Sequence, residues 1–184
     1  MARVDIFNEE LPGDIYKKYS NRVVNIALVG ANQVRRHMGE DFKKETWMQV
    51  LWEFVYFYIA LTRDHGLADS DDARRERVGD KLSNLMIPAL VDYLLEDVRR
   101  DKNESFKTYY LAEFTQRMQR YEKCKEVLPS EGGTKLEWTA LGVFCRGIAD
   151  QVGRKDDTAV IMLSHSHIMD SIEVLNLDVF AAMS

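Results

Sequence analysis

The side chains best placed to do chemistry are Glu53 and a few small or polar neighbours on one predicted helix. Residues 47 to 61 read WMQVLWEFVYFYIAL, in which Gln49 and Glu53 are the strongly polar side chains. At 100° per residue, Gln49, Glu53, Ala60 and Asp64 lie within about 40° of one line along a helix. An acid on such an apolar helix is usually paired structurally, but it can also be a ligand or catalytic carboxyl group with a raised pKa.

Glu53 needs hydrogen-bond partners if it is buried, because an ionised carboxylate left alone in an apolar interior is very unfavourable. The fold must therefore protonate Glu53 or give it donors. We expect the donor to be one of five residues that lie on apolar stripes of other predicted helices, or an arginine. Those residues are His37, His165, Tyr16, Tyr19 and Tyr110.

Two of the four histidines are further candidates for a ligand site. His37 falls on the apolar stripe of the first predicted helix, one turn before Asp41. His165 shares an apolar face of the last predicted helix, whereas His167 points nearly the opposite way. A histidine in such a position is more often a hydrogen-bonded core or boundary residue than a ligand. The predicted ligand-binding residues are Glu53, His37, His165 and Asp64.

A metal site is not predicted. Carboxylate-bridged bundles use Glu-x-x-His pairs, and the chain contains none. The reversed spacing, His37-x-x-Glu40 and His167-x-x-Asp170, arises easily by chance in a charged helical protein. A mononuclear site of His37, Glu53 and His165 requires the first, second and last helices to be neighbours.

No catalytic motif identifies a reaction, so enzymatic activity and cofactors stay open. The chain has no phosphate-binding loop, no Gly-x-Gly-x-x-Gly, no Gly-x-Ser-x-Gly and no His-Glu-x-x-His sequence. Aromatic side chains around the apolar run offer one other kind of site, a pocket for a flat apolar ligand, although core packing is their more common role. They are Trp47, Trp52, Tyr56 and Tyr58.

The elements that position these residues are predicted to be helices throughout, because apolar residues recur every three or four positions and alternation of period two is absent. The fold class is all-α, a single-domain antiparallel bundle of six or seven helices over residues 1–184 with helix 45–65 at its centre. The other helices are predicted at about 12–42, 70–100 with an interruption at Pro88, 104–127, 134–152 and from 156 onward.

Helix ends are predicted from capping residues. Gly66 and Gly153 follow apolar stretches and favour left-handed caps. The segment 134–137, TKLE, has the spacing of a capping box between Thr134 and Glu137. The last helix is apolar on every side in its first turns, which predicts that it is buried.

Composition excludes several classes of function. The net charge is −5 and the isoelectric point is near 5.4, which disfavours binding to nucleic acid. The N-terminus lacks a secretory signal, and residues 47 to 61 are too few to cross a bilayer, so we expect a cytoplasmic protein without a membrane span. Cys124 and Cys145 are expected to be reduced packing residues.

The sequence favours a non-enzymatic helical module that acts by association, either with itself as a dimer or with a partner protein. This hypothesis rests on the absence of motifs, the high apolar content and the C-terminal segment 179–183, VFAAM. The alternative is a bundle that binds a small molecule or a metal through Glu53 and the histidines. Purified protein that carries a stoichiometric ligand or metal would distinguish the alternative from the first hypothesis.

Overall fold

Six α-helices account for most of the structure, a computed structural model that describes residues 14–39, 42–95, 100–130, 135–177 and 180. Within those residues no strand forms, and an isolated bridge joins Glu126 to Thr139. The prediction of an all-α fold is therefore confirmed. The helices are α1 (Ile15–Met38), α2 (Lys44–Leu61), α3 (Asp72–Leu94), α4 (Arg100–Tyr121), α5 (Ala140–Gln151) and α6 (Thr158–Leu175).

Helix α2 lies at the centre of the bundle, as predicted. It packs against α1, α3, α4 and α5, and every side chain from Val50 to Leu61 is buried. Burial on all sides explains why this helix is apolar almost all round, because a helix with a solvent face carries a polar stripe there. Glu53 is the one charged side chain between Val50 and Leu61.

The turn after α2 differs from the prediction. The α-helix ends at Leu61, and Thr62–Gly66 form a single π-helical turn in which Gly66 does not adopt a left-handed conformation. The Thr62 hydroxyl donates a hydrogen bond to the Tyr58 carbonyl oxygen at 2.7 Å. This side chain satisfies a backbone group near the end of the helix, where the sequence predicted a glycine cap.

Two other helix predictions are refined. Helix α3 is one helix that continues through Pro88, and the Asp71 side chain caps it by accepting a hydrogen bond from the Arg74 N–H. Helix α4 ends at Tyr121 rather than near residue 127. The chain leaves the helix because the carbonyl oxygens of residues 126 and 127 accept hydrogen bonds from the first N–H groups of α5.

The start of α5 was predicted wrongly. Thr134 lies outside the described residues, and Glu137 belongs to a short 3-10 turn that precedes the helix. The cap is Thr139, whose hydroxyl oxygen accepts a hydrogen bond from the Gly142 N–H at 3.1 Å. A Cβ at Gly142 would lie 1.9 Å from the Leu136 carbonyl oxygen, so this tight entry requires glycine. The predicted left-handed glycine at 153 is confirmed by its φ of +71°.

Helix α6 is only half buried, contrary to the prediction. It begins at Thr158, after Asp157 accepts hydrogen bonds from the N–H groups of residues 159 and 160. It packs against α1 and α5 and leaves Met162 exposed, because no described element covers its outer side. None of the helices that the structure describes is long and apolar enough to cross a membrane.

The C-terminal segment that motivated the association hypothesis is described at one position. Phe180 is buried, and its ring stacks on Tyr19 at 4.1 Å and contacts Tyr16 edge-on at 5.4 Å between centroids. Residues 179 and 181–183 lie outside the described part of the chain. This aromatic side chain is therefore covered within one copy of the chain.

Candidate functional site

Glu53 is held by three side chains that come from two neighbouring helices. The Arg117 Nε atom on α4 lies 2.8 Å from Glu53 Oε2. The Tyr121 hydroxyl, also on α4, donates a hydrogen bond to Oε1 at 2.9 Å. The Gln151 amide, at the end of α5, donates to Oε2 at 3.2 Å. The carboxyl group is therefore partnered even though it is only 3% exposed.

The helical spacing of the partners explains why they meet at one point. Arg117 and Tyr121 are four residues apart, so they lie on the same face of α4. Gly147 and Gln151 are likewise four residues apart on α5. A Cβ at Gly147 would lie 3.5 Å from Glu53 Oε1, an ordinary contact distance, so position 147 also faces the carboxyl group.

Burial raises the pKa of the Glu53 carboxyl group above its ordinary value of 4.5. The charge of Arg117 and the hydrogen bonds from Tyr121 and Gln151 oppose that shift but do not cancel it. Burial, together with the carboxyl group of Glu53, also raises the pKa of Tyr121 well above its usual range. Tyr121 therefore keeps its proton and remains a hydrogen-bond donor.

The partners of Glu53 agree with the prediction only in part. An arginine is present, which was one of the expected alternatives. The tyrosine is Tyr121, and the expected candidates Tyr16, Tyr19 and Tyr110 are not its donors. The sequence did contain a signal for Tyr121, because it follows Phe114 and Met118 on the apolar stripe of α4.

A cleft of about 300 Å³ lies beside Glu53 between α2, α4 and the end of α5. We call it the Glu53 cleft. Trp52 and Tyr110 stack along it with ring centroids 4.3 Å apart, and Tyr109 contacts Tyr110 edge-on at 5.2 Å. The lining residues are Glu45, Met48, Gln49, Trp52, Glu53, Tyr56, Tyr109, Tyr110, Glu113, Arg117 and Gln151.

Three buried polar atoms that belong to the lining residues have no hydrogen-bond partner among the residues that the structure describes. They are the Gln151 Oε1 atom, the Arg117 Nε atom and the Trp52 Nε1 atom. The Arg117 N–H does not point along the line to the nearby Glu53 oxygen, so that contact is an ion pair without a hydrogen bond. Unsatisfied buried polar groups are uncommon in folded proteins, and an ordered water, an ion or a ligand is one way in which they are satisfied.

The other predicted site residues do not line the Glu53 cleft. His37 is exposed near the end of α1, and His165 is half-buried on α6. Asp64 lies in the π-helical turn, where Arg63 Nε approaches its carboxylate to 2.5 Å; Arg63 also pairs with Glu122 at 3.0 Å. Of the four predicted ligand-binding residues, Glu53 is therefore the one at the cleft, and Gln49 from the same predicted stripe joins it there. Trp52 and Tyr56 from the predicted aromatic pocket also line the cleft, whereas Trp47 and Tyr58 do not.

The buried histidine of α6 is His167 rather than His165. Its Nε2 atom lies 3.0 Å from the Ile26 carbonyl oxygen, and its ring meets Phe54 edge-on at 5.3 Å. Burial lowers the pKa of His167 below its ordinary value of 6.5. The apolar side of the predicted helix pointed to His165, although on that side Ile168 is fully buried and Ile161 is half-buried.

Beside Val160, Ile168 and Leu175, the buried face of α6 carries small polar side chains that are satisfied within the helix. Ser164 donates to the Val160 carbonyl oxygen at 2.9 Å, and Ser171 donates to the His167 carbonyl oxygen at 2.5 Å. A hydroxyl bonded to its own helix can be buried without a partner elsewhere. The close contact of the His167 ring with α1 depends on Gly30, where a Cβ would lie 2.6 Å from the ring.

A metal centre is not supported by the arrangement of the side chains. In the part of the chain that the structure describes, no group of three or more His, Cys, Asp or Glu residues could hold a metal ion. His37 is exposed whereas Glu53 is buried, so the two side chains lie in different surroundings.

Comparisons of the chain with protein families, with characterised proteins and with solved structures found no match in any of the three. Its function is therefore inferred from the geometry alone.

Proposed function

We propose that the protein is a helical bundle that binds a small molecule in the Glu53 cleft. The observation that carries the proposal is a carboxyl group buried at an aromatic cleft beside unsatisfied polar atoms of Arg117 and Gln151. Small-molecule sites combine a mostly apolar or aromatic wall with a few convergent polar groups in this way. The volume of about 300 Å³ is at the lower end for such sites and fits a small ligand.

A substitution at an exposed residue of the cleft can fill the cleft without disturbing the core. Gln49 is exposed at the cleft, so Gln49→Trp adds an indole ring to the cleft without replacing a buried side chain. Gln116 on α4 is also exposed but does not line the cleft, and Gln116→Trp is therefore a matched control.

Ligand-detected NMR with neutral, cationic and anionic aromatic fragments tests the proposal. We expect at least one fragment to bind the wild type and Gln116→Trp at a single site with equal affinity. Gln49→Trp should bind it at least about tenfold more weakly, which corresponds to about 1.4 kcal/mol. The proposal is wrong if no fragment saturates, or if binding is the same in Gln49→Trp.

Self-association as a dimer is the second candidate function, with association with a partner protein as its variant. It is supported by apolar side chains on the outer side of α6, where Met162 is 49% and Met169 is 42% exposed. A separation of seven residues, about two helical turns, places the two methionines on the same side of the helix. Light scattering at high micromolar concentration should give twice the 21.4 kDa mass of the chain and, for Met162→Lys with Met169→Lys, the single mass. A mass of 21.4 kDa for the wild type would contradict the dimer.

We also propose that the protein is cytoplasmic. Cys124 and Cys145 are both free thiols, as is usual in a reducing compartment. Cell fractionation with an antibody against the chain tests this, and recovery outside the cytoplasmic fraction would contradict it.

A further inference from the structure

The charges around the Glu53 cleft favour a positively charged ligand. Three carboxyl groups line it, from Glu45, Glu53 and Glu113, against the single guanidinium group of Arg117. Arg117 is already shared, since it lies 2.8 Å from Glu53 and 4.0 Å from Glu113. A partly enclosed cleft with an excess of one sign of charge concentrates ligands of the opposite sign.

The aromatic residues of the cleft favour a ligand that is flat as well as cationic. Trp52 and Tyr56 are almost fully buried and form the wall, whereas Tyr109 is 55% exposed at the cleft. The faces of such rings carry partial negative charge, which attracts cations. The flat rings also stack well on planar groups.

Gln151 favours a ligand that donates N–H hydrogen bonds. An ionised Glu53 can only accept hydrogen bonds, so the NH₂ group of Gln151 must face it, and Oε1 is left as an acceptor. That Oε1 atom is buried and has no donor in the described part of the chain. Glu53 has about four lone-pair positions, of which the hydrogen bonds from Tyr121 and Gln151 use two, and Arg117 lies beside Oε2 as an ion pair.

We propose that the Glu53 cleft binds a flat organic cation of the amidinium or guanidinium class. The cation would donate N–H hydrogen bonds to Gln151 Oε1 and to Glu53, and its plane would pack against the aromatic rings. Glu113 and Glu45 supply further negative charge. The inference rests on the proposed function and adds the class of ligand to it.

Benzamidine, benzamide and benzoate form a matched set of probes, because they share one flat shape and differ in charge and donors. Calorimetric titration at low salt should show benzamidine binding at least about tenfold more tightly than benzamide, and benzoate not binding. Phenyltrimethylammonium keeps the charge but has no N–H group, and it should bind more weakly than benzamidine.

Variants at carboxylates test the contribution of charge. Glu113→Gln, at the cleft, should weaken benzamidine binding several-fold, whereas Glu173→Gln, an exposed position on α6 outside the cleft, should not. Both variants change the net charge by the same amount, so a general charge effect cannot produce the difference.

Each remaining outcome is decisive. Equal binding of benzamidine and benzamide, lost in Gln49→Trp, overturns the cationic ligand and leaves the proposed small-molecule site standing. Absence of binding by fragments of every charge overturns both. N-acetylarginine amide distinguishes a free cation from an arginine side chain of a partner protein, and binding at least about tenfold tighter than benzamidine would overturn the small-molecule ligand.

Discussion

Glu53 and His167 are both ionisable and almost equally buried, at 3% and 7% exposure, but their surroundings differ. His167 packs against Phe54 and Gly30, and its nitrogen is satisfied by a backbone carbonyl oxygen. Glu53, which directly precedes Phe54 in α2, borders a cleft whose polar groups are only partly satisfied. Burial alone therefore does not identify a functional residue. The proposal of a binding role for Glu53 rests instead on the cleft and the unpaired polar atoms beside it.

The largest loss of stability should come from creating a cavity on the closely packed side of α2. Phe54 is fully buried, so Phe54→Ala should lower the free energy of unfolding by about 3 to 5 kcal/mol through lost contacts and a cavity. Urea unfolding followed by tryptophan fluorescence measures this. Trp138→Ala, at a side chain that is 60% exposed, is a control for which we expect a change of about 0.5 kcal/mol or less. A loss below about 1 kcal/mol at Phe54 would show that α2 is not the core.

A pair of glycine variants compares the two sides directly. A Cβ at Gly30 would lie 2.6 Å from the His167 ring and 2.8 Å from Phe54, so Gly30→Ala should cost about 1 to 3 kcal/mol. A Cβ at Gly147 would meet Glu53 at an ordinary 3.5 Å. Gly147→Ala should therefore be neutral or more stable by up to about 1 kcal/mol, because alanine favours the helix. Equal losses in urea unfolding would mean that the Glu53 side is packed as tightly as the His167 side.

The two ionisable groups should also affect the pH dependence of stability in opposite senses. The pKa of His167 is lowered in the folded state, so the unfolded chain takes up its proton first, near pH 6.5. The free energy of unfolding should therefore fall as the pH drops below 6.5, and it should stop falling once the pH is below the folded pKa. His167→Gln should remove this part of the profile, measured by urea unfolding between pH 7 and pH 5. A wild-type profile that is unchanged in His167→Gln would contradict the prediction.

Glu53 provides the opposite case. Its pKa is raised in the folded state, so protonation stabilises the fold as the pH falls through the folded value toward 4.5. The difference in stability between the wild type and Glu53→Gln should shift in favour of the wild type over that range. A shift in the other direction would mean that Arg117 holds the carboxylate ionised more strongly than burial opposes it.

The fold was more predictable than the site, for a physical reason. The apolar run of α2 can be buried only at the centre of a bundle, so its composition determines its position. The partners of Glu53 come from α4 and α5, and their meeting depends on helix packing that periodicity does not specify. His167 was missed because serine hydroxyls bonded within α6 give part of its buried face a polar sequence. The start of α5 was missed because its cap, Thr139, is followed three residues later by Gly142 and not by the Glu or Gln of a capping box.

Urea unfolding of Glu53→Gln and of the wild type, each with and without a fragment that binds the cleft, tests the central claim most directly. If Glu53 serves binding, Glu53→Gln should be as stable as the wild type within about 1 kcal/mol, or more stable. The fragment should raise the unfolding midpoint of the wild type and leave that of Glu53→Gln unchanged. A loss of more than about 2 kcal/mol in Glu53→Gln, with the fragment still shifting its midpoint, would show that Glu53 is a structural residue.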